Sequence, residues 1–396
     1  MSEKRDFDVV VVGGGAIGLS CAWRLAQRGA RVAVLERGEP GCGATRVAAG
    51  MLAPVGELTF GEPELLDLTL AAARLYPEFI AELEAATGQS CGFERLGALH
   101  VALDRDEAAQ LRRVHDLQRS LDLEAEWLST RQCRELEPGL APSFHGGVLA
   151  AGEAAIDPRE LTEVLLAALR DEGVEVQTGT EVVDGIFESE RLVGVRTASR
   201  RSDTQEVSDH RLHGEIRAED VLLAGGAWSG AMSWLPEYAR PAVRPVKGQV
   251  VELRTRDAEP PARHILASER VYLVPRADGR LVVGATVEEM GFDTAVTAAG
   301  VHELLREAYR LLPDVAEMEW VGATAGLRPG TPDNLPLVGP GAIDGLVLAT
   351  GHFRNGILLA PLAAQAVADH LSGVRPFPGI SPGKDERAVT GVGRNS

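Results

Sequence analysis

A glycine-rich turn between an apolar strand pattern and a helical pattern constrains the fold of this chain more than any other feature. The valines at 9–12 form a continuous β-branched run, as in a strand buried on both faces of a parallel sheet. The sequence GGGAIG follows at 13–18, then a helical stretch up to Gly29, then a second apolar run, Val32–Leu35. This is a β-α-β unit of ordinary length. It predicts an α/β domain with a doubly wound, Rossmann-like parallel sheet.

The glycine spacing in this turn matches a dinucleotide pyrophosphate site. Gly13 permits the tight turn, Gly15 lets the backbone approach the pyrophosphate, and Gly18 lets the helix lie close to the strand. The helix N-terminus attracts the phosphate charge. Glu36 ends the second strand, where a carboxylate can hold both hydroxyls of an adenosine ribose and would repel a 2′-phosphate. The motif therefore predicts NAD or FAD rather than NADP, and does not choose between the first two.

Two further segments favour a flavin. Residues 41–51 are dense in small side chains, so their backbone can run close to a flat ligand and donate N–H groups to it. Residues 351–357 join an apolar strand pattern to the helical pattern 357–371 and bring a second helix N-terminus to the ligand. That helix end and Arg354 would favour the negative charge of a reduced flavin. A flexible glycine loop and an ordinary strand–helix turn with a surface arginine remain the alternatives at this point.

Charge and cysteine content exclude several classes of function. The 396 residues carry a formal net charge of −18, which argues against broad binding to nucleic acid or to an anionic membrane. The four cysteines, at 21, 42, 91 and 133, form no CxxC pair, and this predicts neither a metal site nor a disulfide framework. No signal peptide or membrane span is predicted, so the expected location is the cytoplasm.

Four blocks of sequence carry a resemblance to a known family. They are Val9–Gly18, Ala48–Leu52, Pro245–Gln249 with Tyr272–Arg276, and Ala325–Gly330 with Gly351–Pro361. In this order, from about residue 7 to 372, the chain resembles the FAD-dependent amine and amino-acid oxidases of the D-amino-acid oxidase and sarcosine oxidase superfamily. Within that superfamily it is most similar to the glycine oxidases of bacterial thiamine (thiazole) biosynthesis. The last two blocks are specific for this branch, and the first is not.

The resemblance implies a set of site residues. Arg328 is expected to bind the substrate carboxylate through two N–H groups of its guanidinium, with Tyr272 as a phenol partner and Arg354 nearby. These three are the candidate catalytic residues. The planar, always-charged fork of arginine matches a carboxylate. Motif and resemblance together give the candidate FAD-binding residues Gly13, Gly15, Ala16, Ile17, Gly18, Glu36, Arg37, Ala44, Thr45, Ala49, Gly50, Met51, Val182, His352, Phe353, Arg354, Asn355, Gly356, Ile357 and Leu358.

The resemblance also implies an activity. It is the oxidative deamination of glycine, and also of sarcosine or small D-amino acids, with hydride transfer to flavin and reoxidation by O2. The products would be glyoxylate or the imine, ammonia and hydrogen peroxide. Arg270 and Val287 stand where glycine oxidases carry His and Met, which leaves the preference among small amines open. Sarcosine oxidases tether their flavin through a cysteine in the C-terminal half; this chain has none there, so a noncovalent FAD is expected.

Two rival functions stay open in the sequence. A D-amino-acid dehydrogenase passing electrons to a quinone would need membrane contact, and the chain shows no basic amphipathic anchor. A noncatalytic FAD-binding module would have no use for the three candidate catalytic residues. The expected partners are a small amino-acid substrate, O2, further copies of the chain in a homo-oligomer, and a thiazole synthase that receives the imine. The expected chemistry needs no acidic or basic side chain, because water could take the amine proton.

The middle of the chain predicts a second kind of domain. Residues 62–134 are rich in Glu, Arg, Leu and Ala and predict helices, whereas residues 244–286 predict antiparallel strands with a hairpin turn at Asp278-Gly279. The predicted bounds are 1–85, 147–238 and 322–374 for a discontinuous FAD-binding domain, 86–146 and 239–321 for an inserted α+β substrate domain built on an antiparallel sheet, and 375–396 for a mobile tail.

Overall fold

The chain folds around two eight-stranded sheets. The structure, a computed structural model, describes residues 6–199, 212–256 and 260–374, and the predicted tail 375–396 lies outside them. The strands are β1 (Phe7–Val12), β2 (Val32–Leu35), β3 (Met51–Leu52), β4 (Ala98–Val101), β5 (Glu126–Leu128), β6 (Gly147–Ala150), β7 (Ala154–Ala155), β8 (Glu175–Gln177), β9 (Thr180–Glu188), β10 (Arg191–Ser199), β11 (Leu212–Leu223), β12 (Arg244–Arg254), β13 (Ile265–Ala267), β14 (Tyr272–Pro275), β15 (Arg280–Gly284), β16 (Glu319–Gly330), β17 (Leu337–Pro340) and β18 (Leu346–Thr350).

Four of the helices in the described ranges pack against the first sheet. The helices are α1 (Ala16–Gln27), α2 (Ala44–Val47), α3 (Pro63–Thr87), α4 (Arg105–Ser120), α5 (Thr130–Leu136), α6 (Pro158–Asp171), α7 (Ala298–Leu311) and α8 (Gly356–Leu371). Short 3-10 turns cover Gly226–Ala231, Glu237–Ala239, Pro313–Glu317 and Phe353–Asn355. Helices α1, α3, α6 and α8 share one hydrophobic core with β1 and β2, whereas α7 packs on the second sheet.

The first sheet confirms the predicted doubly wound arrangement. Its strand order is β17-β18-β11-β1-β2-β8, with β9 and β10 extending it from β11. The pairs β11–β18, β1–β11, β1–β2 and β2–β8 are parallel, and only the edge strand β17 runs antiparallel to its neighbour β18 along this path. The valines of β1 are buried because the sheet is covered on both faces, which explains their unbroken run in the sequence.

The second sheet carries the predicted hairpin and one strand pair that differs from the prediction. Its order is β16-β12-β15-β14-β13-β4-β6-β5. Strands β14 and β15 are antiparallel, with Leu273 opposite Val283, and the turn contains Gly279 with a φ of +83°. The prediction of antiparallel strands over 244–286 is confirmed for β12, β14 and β15. It is incomplete for β13, which pairs parallel with β4, a strand from an earlier part of the chain.

The prediction that 62–134 is helical is wrong for two short strands. Helices α3, α4 and α5 form as expected, but β4 and β5 lie between them and pair with β6. Each strand is only three or four residues long and is stabilised by distant partners, so the local composition carries no signal of it.

The division into domains stays a prediction, and the sheet pairing bears on two of its bounds. Strand β6 pairs with β4, and β16 pairs with β12 along its whole length, from Glu319 opposite Arg254 to Gly330 opposite Arg244. Residues 147–150 and 322–330 therefore group with the second sheet, although the predicted bounds place them with the first.

Candidate active site

A cavity of about 810 Å³ lies between the two sheets. The phosphate turn, the small-residue segment and the turn before α8 line it from the first sheet, and Tyr272 and Arg328 line it from the second. Of the residues predicted to bind FAD, the cavity wall contains Gly13, Gly15, Ala16, Ile17, Glu36, Arg37, Ala44, Thr45, Ala49, Gly50, Met51, Val182, His352, Phe353, Arg354, Gly356 and Ile357.

Three residues of the predicted set lie behind this wall. Gly18 packs against the turn that follows β1, where a Cβ would collide with the carbonyl oxygen of Gly13. It therefore sets the distance between helix and strand rather than touching the cavity. Asn355 is buried beside a smaller neighbouring pocket. Leu358 packs in the core shared by the helices.

The phosphate turn is held in a conformation that leaves the start of α1 facing the cavity. Gly13 has a φ of +114°, and a Cβ there would collide with the backbone of Ala224, the residue that follows β11. Only glycine combines that backbone conformation with that approach. The hydroxyl of Thr45 accepts a hydrogen bond from the Ala16 amide at 3.0 Å. The small-residue segment is thereby fastened to the N-terminus of α1, where a phosphate binds most favourably.

The carboxylate of Glu36 is fixed at the end of β2. Its Oε2 accepts a hydrogen bond from the Gly14 amide and its Oε1 one from the Gly38 amide, both at 2.8 Å. A carboxylate offers about four acceptor positions, so two remain for the hydroxyls of a ribose. The geometry fits the role that the sequence predicts for this residue.

An aromatic stack that the motif analysis missed reaches the cavity wall through Trp228. The guanidinium of Arg37 lies 4.0 Å from the ring centre of Trp228, and Trp228 stacks on Phe292 with centroids 5.9 Å apart. Trp228 and Arg37 both line the cavity. Trp228 follows β11 in the sequence, with no pattern around it that indicates a ligand-facing side chain.

The turn before α8 contributes a buried histidine whose Nε2 has no hydrogen-bond partner among the described residues. His352 is 2% exposed and lines the cavity. Burial lowers its pKa to about 3, so the ring is neutral at physiological pH. An unpaired polar atom is costly in a protein interior. Its position on the cavity wall fits a polar group of a bound cofactor, and the residues present thus fit FAD.

Arg328 and Tyr272 meet over two glycines of the second sheet. Arg328 projects from the edge strand β16 and Tyr272 from β14, with β12 and β15 between them. A Cβ on Gly248 of β12 would collide with the guanidinium of Arg328, and one on Gly284 of β15 would collide with the phenol of Tyr272. The glycines therefore leave room for both side chains to lie along the sheet and face each other.

These two side chains lie side by side and offer hydrogen-bond donors to the cavity. Nη1 of Arg328 donates to the Thr286 carbonyl at 3.1 Å. Burial raises the pKa of the Tyr272 phenol, and the charge and hydrogen bond of Arg328 oppose that rise. The phenol is thus protonated at neutral pH and can donate. A cation and a neutral donor on one cavity wall make a binding site for a carboxylate.

A carboxylate that the sequence analysis did not single out lies beside this pair. Glu57, between β3 and α3, lines the cavity. Burial raises its pKa, and the charges of Arg354 and then Arg328 oppose the rise. Arg354 itself donates from Nη2 to the Thr59 hydroxyl at 3.1 Å. No local pattern marks Glu57, because its surroundings come from β14, β16 and the turn before α8.

The two residues that depart from the glycine oxidase pattern lie on the cavity rim. Arg270 and Val287 both line the cavity and are exposed.

Within 6–199, 212–256 and 260–374, no group of three or more His, Cys, Asp or Glu side chains is placed to hold a metal ion. Across the same ranges, no helix combines the length and apolar character needed to cross a bilayer.

Comparisons with known proteins agree with this architecture. The FAD dependent oxidoreductase family model (DAO) matches residues 8–370. The bifunctional protein ThiO/ThiG of Trichormus variabilis is 36% identical over 92% of this chain, and the chain spans about half of that relative, 52% of its length. The glycine oxidase of Geobacillus kaustophilus is 35% identical, with 92% of each chain covered.

A solved structure shows the same fold. The crystal structure of glycine oxidase from Bacillus cereus superposes with a TM-score of 0.84 at 32% identity, covering 94% of this chain and 99% of the other. The family match extends over both sheets and over all the cavity-lining segments described above. The chain belongs to the FAD dependent oxidoreductase family, and FAD is its cofactor.

Proposed function

We propose that this protein is an amino-acid oxidase that converts glycine, O2 and water to glyoxylate, ammonia and hydrogen peroxide. The observation that carries the proposal is the Arg328–Tyr272 pair, which faces the cofactor cavity from the second sheet. A protein that only binds FAD does not need a pair of side chains that binds a carboxylate at this position. The similarity to glycine oxidases over nearly the whole chain supports the same substrate class.

In the proposed reaction the protein binds and orients the substrate. Arg328 and Tyr272 hold its carboxylate and so aim the α-carbon into the cavity, which lowers the entropic barrier of the reaction. Oxidation of the bond between the α-carbon and nitrogen is the chemistry that FAD supplies when bound. The imine then either hydrolyses or leaves as a building block. Sarcosine and small D-amino acids are further candidate substrates. Arg270 and Val287, which line the cavity, differ from the His and Met of glycine oxidases, and this difference leaves the preference among small amines open.

The proposed cofactor contacts follow from the cavity wall. The N-terminus of α1 would hold the pyrophosphate, Glu36 the ribose, and the 351–357 turn the flavin end. The four cysteines lie at positions 21 to 133, so we propose that the FAD is noncovalent. Denaturing the protein should release the yellow chromophore into the supernatant, and a chromophore that stays with the precipitated chain would contradict this.

The decisive test is the visible spectrum of the purified protein with and without glycine. A yellow protein that is bleached by glycine without oxygen and releases peroxide in air supports an oxidase. Bleaching without peroxide in air favours a dehydrogenase that passes electrons to a quinone. A yellow protein that glycine, sarcosine and D-alanine all fail to bleach favours a noncatalytic FAD module. An anaerobic titration with these three compounds ranks the substrates.

We propose that the product serves thiamine biosynthesis, with the imine passed to a thiazole synthase in the cytoplasm. Relatives named ThiO/ThiG carry two functions in one chain, which supports a functional link between the two parts. We also propose a homo-oligomer. Mixing the protein with a thiazole synthase should raise imine capture above the level reached with free glyoxylate and ammonia. Light scattering on the purified protein tests the oligomer.

A further inference from the structure

Glu57 lies beside the proposed carboxylate site and faces the same cavity. Its charge interacts with the guanidinium groups of Arg354 and Arg328 and with the phenol of Tyr272. The α-nitrogen of glycine is only two bonds from its carboxylate carbon. A glycine held by Arg328 therefore brings its ammonium group close to any side chain that neighbours that arginine on the cavity wall.

The segment that carries Glu57 is held firmly by groups from other elements. Oε1 of Glu153 accepts hydrogen bonds from the amides of Val55 and Gly56, the first at 2.9 Å. Nε2 of Gln118, from α4, donates to the Val55 carbonyl at 2.9 Å. With its flanking backbone fixed in this way, Glu57 has a defined position on the wall rather than a mobile place on a loop.

The side chains around Glu57 leave its carboxylate available. It makes no side-chain hydrogen bond to the described residues, and its polar neighbours act on it through charge alone. The adjacent Glu153 differs, because burial raises its pKa to about 8, with backbone hydrogen bonds opposing and Glu57 adding to the rise. Glu153 is thus protonated at neutral pH, whereas the charges of Arg354 and Arg328 favour the ionised form of Glu57. Two carboxyls in different environments take different roles.

We propose that Glu57 accepts a proton from the ammonium group of the bound substrate. The N–H bond breaks, its electron pair stays on nitrogen as a lone pair, and the proton forms an O–H bond on Glu57. No electron is exchanged with the cofactor in this step, and the total charge of the site is unchanged. The resulting neutral amine can then lose hydride from its α-carbon. The proposal rests on the proposed function and assigns to Glu57 the proton that the sequence analysis left to water.

The groups that face Glu57 define the pH dependence to expect. Arg328 and Arg354 stay charged, and Tyr272 stays protonated up to alkaline pH because its pKa is raised. His100, on β4 near Gly56, has its pKa lowered to about 4 by burial and is neutral above that. Glu57, whose ionised form the two arginines favour, is therefore the group expected to control the acid side of the profile.

The test is the pH profile of kcat/KM for glycine in the holoenzyme and in Glu57→Gln. The wild type should rise from acid pH to a plateau. Glu57→Gln should lose about a hundredfold in kcat/KM at pH 7, the scale of general base catalysis. The kcat/KM of this variant should then rise tenfold for each unit of increasing pH, because the variant must bind the rare neutral form of glycine from solution. Glu57→Asp should recover part of the loss. Glu78→Gln, at an exposed glutamate on α3 that does not line the cavity, should keep the wild-type profile.

A binding measurement separates this role from a structural one. Acetate carries the carboxylate of glycine but no amine. Removing the negative charge of Glu57 beside Arg328 should tighten acetate binding about fivefold in calorimetry, the scale of one exposed charge pair. A damaged site would instead bind acetate more weakly.

A Glu57→Gln variant with a wild-type pH profile, or with weakened acetate binding, overturns the proposal. If the wild type itself releases no peroxide with glycine, the proposed function fails instead, and the two failures are distinguishable.

Discussion

The residues that would act on the substrate depend on glycines beneath them. Arg328 and Tyr272 lie along the sheet because Gly248 and Gly284 carry no side chain that would collide with them. Burial keeps the phenol protonated, and the arginine stays charged. The site thus combines one fixed cation with one neutral donor, and Glu57 adds a carboxylate within range of both. Chemistry at this scale follows from the neighbours of each group rather than from its residue type alone.

The first prediction concerns Arg328→Ala. Hydrogen bonds to charged groups contribute about 1.5–3 kcal/mol each, so we expect the KM for glycine to rise about tenfold to a hundredfold or more. The FAD content should stay unchanged, because the cofactor contacts lie on the first sheet. Steady-state kinetics and the visible absorbance per protein measure the two effects. Arg328→Lys keeps the charge without the fork and should fall between the two proteins. An unchanged KM in Arg328→Ala would remove this residue from the site.

Among the elements, the β-α-β unit follows the sequence closely. Strands β1 and β2 form over the residues predicted for them, and α1 begins at Ala16, inside the glycine turn. Each step is local: a buried run, a turn that requires glycine, and a helix that closes the unit. The strands β4, β5 and β16 escaped prediction because their partners are distant in the chain. Strand formation depends on that pairing more than on local propensity.

A second prediction belongs to strand β12. Gly248→Ala places a methyl group against the Arg328 guanidinium, so the arginine must move away from the cavity. We expect the KM for glycine to rise at least about tenfold, the equivalent of about 1.4 kcal/mol, while the cofactor stays bound. Gly322→Ala, on β16 with open space around the added methyl group, is the matched control and should leave KM unchanged. Equal effects of the two substitutions would show that general strand disturbance, and not the arginine, is responsible.

At the scale of the whole molecule, the site exists only where the two sheets meet. The first sheet supplies the phosphate turn, Glu36 and the histidine turn, and the second supplies Arg328 and Tyr272. Neither half encloses a complete cavity. The segment with Glu57 connects them, since it follows β3 and is fastened by α4 and by the turn before α8. Any domain division of this chain therefore cuts through the proposed active site.

The third prediction is a loss of stability in mild acid. Burial lowers the pKa of His100 to about 4 and that of His352 to about 3, from an ordinary value of 6.5. Between pH 6.5 and about 4 the unfolded chain therefore binds protons that the folded chain refuses. As the pH is lowered through this window, the free energy of unfolding should decrease by about 1.4 kcal/mol per pH unit for each histidine. Denaturant titrations of the wild type over this range measure the slope.

The control for that slope is His100→Gln. It removes one of the two titrating groups, so its stability should change less steeply over the same window, by about one proton. Wild-type and variant curves that stay parallel would mean that His100 does not resist protonation in the folded state.

The sequence by itself determined the dinucleotide-binding unit and, through the resemblance, the family and its carboxylate fork. Short segments of sequence determine those features, because a tight turn, a helix N-terminus and a buried strand each depend on a few consecutive residues. Tertiary structure alone decided that Glu57 and Arg328 line the same cavity, that Trp228 lines it as well, and that Gly248 and Gly284 lie beneath Arg328 and Tyr272. Such contacts arise from strand pairing and packing between distant segments, and no local pattern of residue types encodes a distance across a sheet.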